Sequence, residues 1–355
     1  MKGAAFGFAA VSIWASWSVV TRLAVTTSLD ASDIAALRFG IAGLLLSPVL
    51  MQRGLAHDRL GWLGLGVLIA GFGAPYALVA ATGLRFAPAY DGGALNPGCM
   101  PLFVSLISAI VMREKLSSSR ILGLSLILAG AVIIVGWHAQ GRGAAWGSSR
   151  TFGDGLFLIA AFLTACSTLV MRRARLDPLH AAALVATGSL VIYLPIYVAL
   201  YGMRLARIPL ADLAVQALFQ GVVVTIVSLV LYGRAVAILG ASGGSALGAL
   251  VPALSALIAI PLLGEWPNKA GWVGILLISA GVYLASGGPL PSWQHRGSGT
   301  NPKACDHGPR SRHPGESRDP CQIGAGLRRC DNVLGAICQN CSAGARAGAL
   351  PVSAG

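Results

Sequence analysis

Charged residues are scarce in this sequence. Asp, Glu, Lys and Arg make up 11% of its 355 residues, whereas an ordinary soluble domain carries about 25%. Hydrophobic residues make up 55%, and the mean hydropathy is +0.72. So little charge cannot coat the surface of a soluble fold. The composition therefore excludes an ordinary soluble protein and indicates one whose solvent is the lipid bilayer.

Acidic residues and histidines are absent from the middle of the long apolar stretches. The nine acids that precede residue 291 all lie at the ends of these stretches or between them: Asp30, Asp33, Asp58, Asp91, Glu114, Asp154, Asp177, Asp212 and Glu265. This pattern predicts no metal site within the spans and no bound cofactor. It also argues against an intramembrane enzyme, because the sequence has no HExxH or GxGD motif at depth.

Cysteines are almost confined to the end of the chain. Five of the seven follow residue 291, and only Cys99 and Cys166 lie in the apolar region, which predicts no disulfide framework. The net charge of +13 is dispersed over short gaps between apolar runs and over the terminal tail. Because it forms no stripe or patch, it excludes nucleic acid as a partner and suits loops that face anionic lipid headgroups.

Long apolar runs are what the sequence has in abundance. A helix needs about 20 apolar residues to cross the hydrocarbon core. Ten stretches qualify, at residues 4–25, 34–51, 61–84, 88–112, 121–137, 155–171, 181–201, 213–233, 243–263 and 270–286. The prediction is an all-α integral membrane protein with ten transmembrane helices.

The sequence also repeats itself. A shift of 151 places produces matches that share one register: Gly92-Gly93 with Gly243-Gly244, Pro101 with Pro252, Glu114 with Glu265, Gly123 with Gly274, and Ala129-Gly130 with Ala280-Gly281. A shift of 150 places aligns Arg22 with Arg172 and Gly71 with Gly221. One register that holds Gly, Pro and Glu together indicates two homologous halves. We assign them to residues 1–137 and 153–290, joined by a linker at 138–152.

Five spans in each half is an odd number, so the two halves enter the membrane in opposite orientations. With the N-terminus in the cytoplasm, the loop that holds Arg113, Lys115 and Arg120 faces the cytoplasm, and its counterpart with Lys269 alone faces out. This agrees with a modest excess of positive charge inside. The expectation is an inverted repeat in the bacterial inner membrane, with both termini cytoplasmic.

Particular motifs resemble a known family. Residues 8–22 (FAAVSIWASWSVVTR) resemble the opening helix of the EamA-type permeases of the drug/metabolite transporter superfamily, and Leu37-Arg38-Phe39 resembles the start of their second helix. The segment 96–130, with its Arg113-Glu114-Lys115-Leu116 turn, gives the most specific match. The resemblance covers residues 4–287 and implies ten helices and the transport or efflux of amino acids or other metabolites. The sequence departs from the pattern at Gly188, where the second half lacks a counterpart of Arg38.

Inverted repeats place a solute site near the membrane midplane, between the halves. Polar and aromatic residues within the spans are the candidates for substrate binding: Trp14, Trp17, Arg38, Tyr76, Asn96, Ser167, Gln220, Tyr232 and Ser245. As a set they favour a neutral or zwitterionic organic solute over a metal ion. Trp17 aligns with Ser167 in the repeat, which predicts an aromatic wall that faces a polar one.

Arg38 is the one charge well inside a span, and Asp91 begins span four at the same face of the membrane. Two interpretations are open: Arg38 pairs with Asp91, or it receives an anionic group of the substrate. Pro101 and Pro252 are candidate hinges, although inherited helix shape explains them equally well. Glu114 and Glu265 are expected to accept hydrogen bonds from the adjoining turn or from the N-terminus of the following helix, with gating as the alternative.

The predicted function is a secondary-active or facilitative transporter that moves small organic metabolites by alternating access. An intramembrane enzyme and a passive channel are the alternatives. The sequence decides neither whether protons drive transport nor the oligomeric state. No ATP-driven pump is expected, because the sequence has no Walker A motif.

The composition changes abruptly in residues 291–355, which are rich in Gly, Arg, Ser, Pro and Cys and have no helical or strand periodicity. We predict a disordered appendage. A chain that ends at Ser292 is expected to insert into membranes and to transport as the full chain does, measured by membrane fractionation and liposome uptake. Loss of both properties would contradict the prediction.

Overall fold

All regular structure in the described part of the chain is helical. The computed structural model describes residues 2–111, 113–114, 116–140, 149–202 and 204–287, and no strand occurs in these ranges. The helices are α1 (Lys2–Thr27), α2 (Ala31–Arg53), α3 (His57–Phe72), α4 (Ala74–Phe86), α5 (Ala89–Val111), α6 (Ser118–Gln140), α7 (Ser149–Arg173), α8 (Pro178–Tyr201), α9 (Leu210–Gln216), α10 (Ser228–Leu247), α11 (Val251–Leu263) and α12 (Lys269–Ala285). The tail predicted for 291–355 and most of the linker fall outside the described residues.

The membrane spans follow the predicted pattern closely. Nine stretches of the described chain are long and apolar enough to cross a membrane, and α12, with 17 residues, is a shorter apolar helix at the position of the tenth. The third predicted span comprises α3 and α4, and the eighth comprises α9, a π-helical segment at Ala217–Val227 and the first part of α10. The fold is therefore an all-α membrane bundle.

Three helices pack antiparallel against their own repeat counterparts. Along α2 and α8, Arg53 pairs with Asp177, whereas the Tyr197 hydroxyl donates to Asp33 at the opposite end, 2.6 Å away. In α5 and α11, a Cβ at Gly93 would lie 2.2 Å from Ser255. The third pair is α6 and α12. A helix that meets its own copy running the other way is the geometric signature of an inverted repeat.

The closest of these contacts joins α6 to α12 through four glycines that match one another in the repeat. A Cβ at Gly123 would lie 2.7 Å from the carbonyl oxygen of Gly281, and one at Gly130 would lie 2.7 Å from that of Gly274. Gly123 thus contacts the repeat counterpart of Gly130, and Gly130 contacts the repeat counterpart of Gly123. Small residues let helices approach closely in a membrane, where dispersion contacts rather than hydrophobic burial hold them together.

The third span of each half is irregular at equivalent depths. The first half breaks between α3 and α4 at Gly73, where a Cβ would lie 2.2 Å from Ser189 Oγ. That hydroxyl accepts a 3.1 Å hydrogen bond from the Ala74 N–H, the first amide of α4. The second half has the π-helical segment Ala217–Val227 instead. Such irregular backbone is tolerated at membrane depth where protein buries it or where it lines a cavity.

Substituting Gly130 by Val is expected to lower the melting temperature of the detergent-solubilised protein by several degrees. The added side chain meets backbone rather than a flexible side-chain end, and overpacking of this kind costs about 1–3 kcal/mol. Gly136→Val in the same helix is the matched control, because a Cβ at Gly136 would have no neighbouring atom within 4 Å. Equal melting temperatures for the two variants would contradict the close α6–α12 contact.

Candidate functional site

A network of buried neutral polar groups joins α1 to the π-helical segment. The Trp17 indole donates a 2.9 Å hydrogen bond to Gln220 Oε1, and Gln220 Nε2 donates at 2.9 Å to the Thr21 hydroxyl. Gln220 and Thr21 are fully buried, and Trp17 is nearly so. Since each hydrogen-bonding group is expensive to leave unsatisfied in the bilayer, this network fixes the ring of Trp17 in one orientation.

The network continues to α4 and α5 through Tyr76. The Trp17 and Tyr76 rings are stacked with centroids 6.2 Å apart, and Asn96 Nδ2 donates a 2.9 Å hydrogen bond to the Tyr76 hydroxyl. Tyr76 belongs to the first turn of α4, directly after the break at Gly73. Four of the nine predicted substrate-binding residues, Trp17, Tyr76, Asn96 and Gln220, therefore form one connected group, which we call the central cluster.

One turn away on α1, Trp14 forms a second aromatic pair. Its ring lies 4.9 Å from that of Tyr232, and its indole donates a 3.1 Å hydrogen bond to the Ser228 hydroxyl. Both aromatic residues were predicted from the sequence, whereas Ser228 was not. The two tryptophans thus each anchor to the eighth span, at Ser228 and Gln220, and together they define one wall between α1 and that span.

Ser167 and Ser245 lie outside the central cluster. The Ser167 hydroxyl donates a 2.7 Å hydrogen bond to the backbone carbonyl of Val67, in the tight α3–α7 contact at Gly71. The predicted polar wall opposite Trp17 is therefore wrong. Ser167 matches Trp17 in the repeat. It packs on span three, which matches span eight, the span that holds Gln220. Ser167 therefore makes the equivalent contact in the other half of the bundle. Ser245 is half-buried in α10, beyond a kink at Gly240.

Arg38 has no partner of its own. No described side chain accepts a hydrogen bond or forms an ion pair with it, and its Nε is buried without a hydrogen bond. The guanidinium lies within electrostatic range of the Tyr76 phenol and 5.4 Å from the Phe39 ring. The predicted alternative in which Arg38 pairs with Asp91 is wrong, because Asp91 binds Arg150, with Oδ2 lying 2.8 Å from Nη2.

The two candidate hinge prolines differ in their position within a helix. Pro101 lies inside α5, which stays α-helical from Ala89 to Val111, whereas Pro252 is the second residue of α11, directly after a 3-10 turn at Gly248–Leu250. The larger irregularities lie at Gly73 and in the π-helical segment, and neither was predicted. The run Gly71-Phe72-Gly73-Ala74-Pro75 was the available signal, since Pro is favoured in the first turn of a helix and Gly just before a new start.

Glu265 joins three pieces of the bundle at one membrane face. Its Oε1 lies 3.0 Å from Arg22 Nε at the end of α1, and its Oε2 accepts a 2.7 Å hydrogen bond from the N–H of Ala89, the first residue of α5. Arg22 also donates to the backbone carbonyl of Leu84 in α4. Glu265 thus accepts from a helix N-terminus as predicted, although the helix is α5 and not the one that follows it in sequence.

The repeat counterparts of this contact are not joined. Arg172, which matches Arg22, is exposed at the end of α7, and Glu114, which matches Glu265, is half-buried. Neither residue has an ion pair within the described ranges. The contact formed at one face of the membrane, which we call the Glu265 face, therefore has no counterpart among the described residues at the other, the Glu114 face.

The α2–α8 pair is different because it is tied at both ends. Arg53 pairs with Asp177 at the Glu114 face. At the Glu265 face, Arg204 pairs with Asp30 and lies 3.5 Å from Asp33, and the Coulombic attraction of Asp33 is the main reason that the pKa of Arg204 is raised. These contacts hold α2 to α8 at both ends of the pair.

In the described part of the chain, no three His, Cys, Asp or Glu side chains are grouped closely enough to hold a metal ion. The chemistry available at the centre of the bundle is hydrogen bonding, aromatic stacking and the single charge of Arg38. These groups can bind and orient an organic solute.

Comparison with known proteins gives concordant results. The chain is 29% identical over 189 residues to a protein named "Probable terminal-alkyne amino-acid exporter" from Streptantibioticus cattleyicolor, an alignment that covers 52% of this chain and 60% of that relative. It is 28% identical to a riboflavin transporter of Brucella anthropi, with 59% of this chain and 72% of the relative covered. An uncharacterized transporter of Archaeoglobus fulgidus is 25% identical, with 77% and 93% covered.

One solved crystal structure has the same fold, with a TM-score of 0.53 and 23% identity over 80% of this chain and 96% of that one. The EamA-like transporter family matches residues 1–136 and again 151–287, one match for each half. The chain therefore belongs to the EamA-like transporter family, and it is a multi-pass membrane transporter rather than an enzyme.

Proposed function

We propose that the protein is a secondary-active or facilitative carrier that exports small organic metabolites, amino acids among them, across the bacterial inner membrane by alternating access. The relative named as an amino-acid exporter supports the direction and the solute class. The central cluster of Trp17, Tyr76, Asn96 and Gln220, with Arg38 beside it, is the proposed binding site. Both termini are cytoplasmic in this proposal, which places the Glu265 face outside.

The observation that supports alternating access most directly is the unequal state of two matched contacts. The halves are copies, so a contact between two residues of one face has a counterpart at the other. Arg22 and Glu265 are joined, while Arg172 and Glu114 form no ion pair. In an inverted repeat, the bundle passes from the state open to one side into the state open to the other side when the two halves exchange conformations. The opposite state then joins Arg172 to Glu114 and releases Arg22 from Glu265.

The same logic separates the moving contacts from the fixed ones. The α6–α12 glycine contact maps onto itself when the halves are exchanged, and α2–α8 is tied at both faces. Neither has an open and a closed version. We infer that these two pairs stay together while α1, α5, α7 and α11 change their contacts around the central cluster.

Cysteine pairs test this exchange directly. In a chain whose seven cysteines are replaced by alanine, Arg22→Cys with Glu265→Cys is expected to form a disulfide under mild oxidation, which reports the observed state. Arg172→Cys with Glu114→Cys is expected to crosslink in a separate variant, which reports the opposite state. Each crosslink should stop uptake by proteoliposomes, and reduction should restore it, because each traps one end of the cycle.

The Arg53→Cys/Asp177→Cys pair is the matched control. It joins α2 to α8, so it should crosslink without stopping uptake of labelled amino acids and metabolites into proteoliposomes. Failure of the Arg172→Cys/Glu114→Cys pair to crosslink in an actively transporting chain would refute the exchange. Continued flux with either gate pair crosslinked would instead indicate a passive channel.

A single substitution should shift the balance between the two states. Adding Glu265→Gln to the Arg172→Cys/Glu114→Cys chain removes the charge that holds Arg22, and a charge-assisted hydrogen bond is worth about 1.5–3 kcal/mol. Its disulfide should therefore form about tenfold faster. Asp177→Asn, at the α2–α8 tie, is the control and should leave the rate unchanged. An equal rate with and without Glu265→Gln would show that the Glu265 contact does not hold this face closed.

A further inference from the structure

We propose that Arg38 binds an oxyanion of the transported solute, a carboxylate or a phosphate, while the stacked rings of Trp17 and Tyr76 contact its organic body. This inference rests on the proposed function and names the solute class of the same site. It makes the carrier one for organic anions and for zwitterions that present a carboxylate.

The first reason is that the charge of Arg38 is not neutralised by the protein. Its Nε is buried with no hydrogen bond, and the described residues offer the side chain no ion pair. Arg38 as a whole is half-buried, and charged side chains within membrane spans usually pair because an isolated charge at depth is expensive. Since no described residue supplies the negative partner, we assign that role to the solute.

The second reason is that the buried carboxylates of α2 and α5 are already in use. Asp33, on the same helix as Arg38, accepts from the Tyr197 hydroxyl and from the backbone N–H of its helix N-cap residue Asp30, and Arg204 lies 3.5 Å away. Asp91 on α5 binds Arg150. The central cluster itself holds only neutral groups, which hydrogen-bond to one another.

The third reason is the start of α4 at the same depth. The chain breaks at Gly73, and Tyr76, within electrostatic range of Arg38, belongs to the first turn of the new helix. A helix N-terminus at membrane depth presents the positive end of the helix dipole, and discontinuous helices of carriers commonly direct it at anionic groups of the substrate. Arg38 and this helix start therefore both favour a negatively charged ligand.

The fourth reason is that the two halves differ at this position. Gly188 stands where the second half would hold an arginine, and a Cβ there would already lie 2.5 Å from the side chain of Ile69. One half contributes the cation, whereas a side chain in the other would have to displace Ile69. The site therefore takes one anionic group, and it holds the solute in one orientation rather than two.

Stability of the ligand-free protein gives a test that needs no known substrate. An unpaired charge within the span is a cost to the empty protein, so Arg38→Gln should raise its melting temperature by about 2–4 °C in detergent. Arg150→Gln is the matched control, and it should lower the melting temperature because it leaves Asp91 without its arginine. A lower melting temperature for Arg38→Gln would show that Arg38 has a structural partner and would overturn the inference.

Transport gives the second test. Proteoliposomes with the full chain are offered labelled amino acids, organic acids, the neutral amides of these acids, and phosphate monoesters. Uptake of acids or phosphates is expected, with loss of at least tenfold in Arg38→Gln and partial recovery in Arg38→Lys, while the amides are not taken up. Faster uptake of the carboxylic acids or of the phosphate monoesters shows which of the two oxyanions Arg38 binds.

The gate variants keep this inference separate from the proposed function. In the Arg38→Gln chain, the Arg172→Cys/Glu114→Cys disulfide should still form, because recognition and not the conformational cycle is removed. Equal uptake by Arg38→Gln and the unaltered chain would refute the role of Arg38 and leave alternating access standing. Absence of the Arg172→Cys/Glu114→Cys crosslink in both chains would refute alternating access itself.

Discussion

The structure depends on the antiparallel meeting of helices with their own copies. Four glycines at the α6–α12 contact bring two backbones so close that a Cβ would lie 2.6–3.0 Å from a carbonyl oxygen on the opposite helix. Because each glycine contacts the repeat counterpart of another, exchanging the two halves leaves this contact unchanged. Dispersion between such close backbones is what holds helices together in lipid, where burial of apolar surface contributes little. The two-fold relation that this contact imposes on the bundle gives every other contact a partner at the opposite membrane face.

Function arises where that relation is broken. Arg22 and Glu265 are joined while Arg172 and Glu114 form no ion pair, and in our proposal this arrangement is one of two equivalent states of the bundle. The central cluster departs from symmetry in composition as well. Trp17 and Gln220 form a side-chain hydrogen bond, whereas the matched contact of Ser167 is made to backbone. A symmetric bundle provides two states of similar energy, and an asymmetric site gives the solute one way to bind in both.

Arg38 shows how an unfavourable group can be retained at such a site. In our proposal its charge destabilises the empty protein, because no described carboxylate pairs with it, and Asp91 and Asp33 lie with Arg150 and Arg204 instead. A bound oxyanion would remove that cost, so the energy stored in the empty site would be returned on binding. The break at Gly73 adds a helix start of the same polarity beside it. Proteins commonly lose some stability at the sites where they recognise ligands.

The sequence by itself determined the membrane class, the spans and the doubled, inverted plan, because hydropathy and a repeat register are properties of the chain that need no neighbours. Tertiary structure alone decided which charges meet. Asp91 was within reach of several arginines, and its choice of Arg150 follows from packing between distant helices. The break at Gly73 likewise depends on Ser189, which supplies the acceptor for the freed Ala74 amide from α8. Side-chain partners across a bundle are set by how helices pack, and a single sequence does not encode that packing in any local pattern.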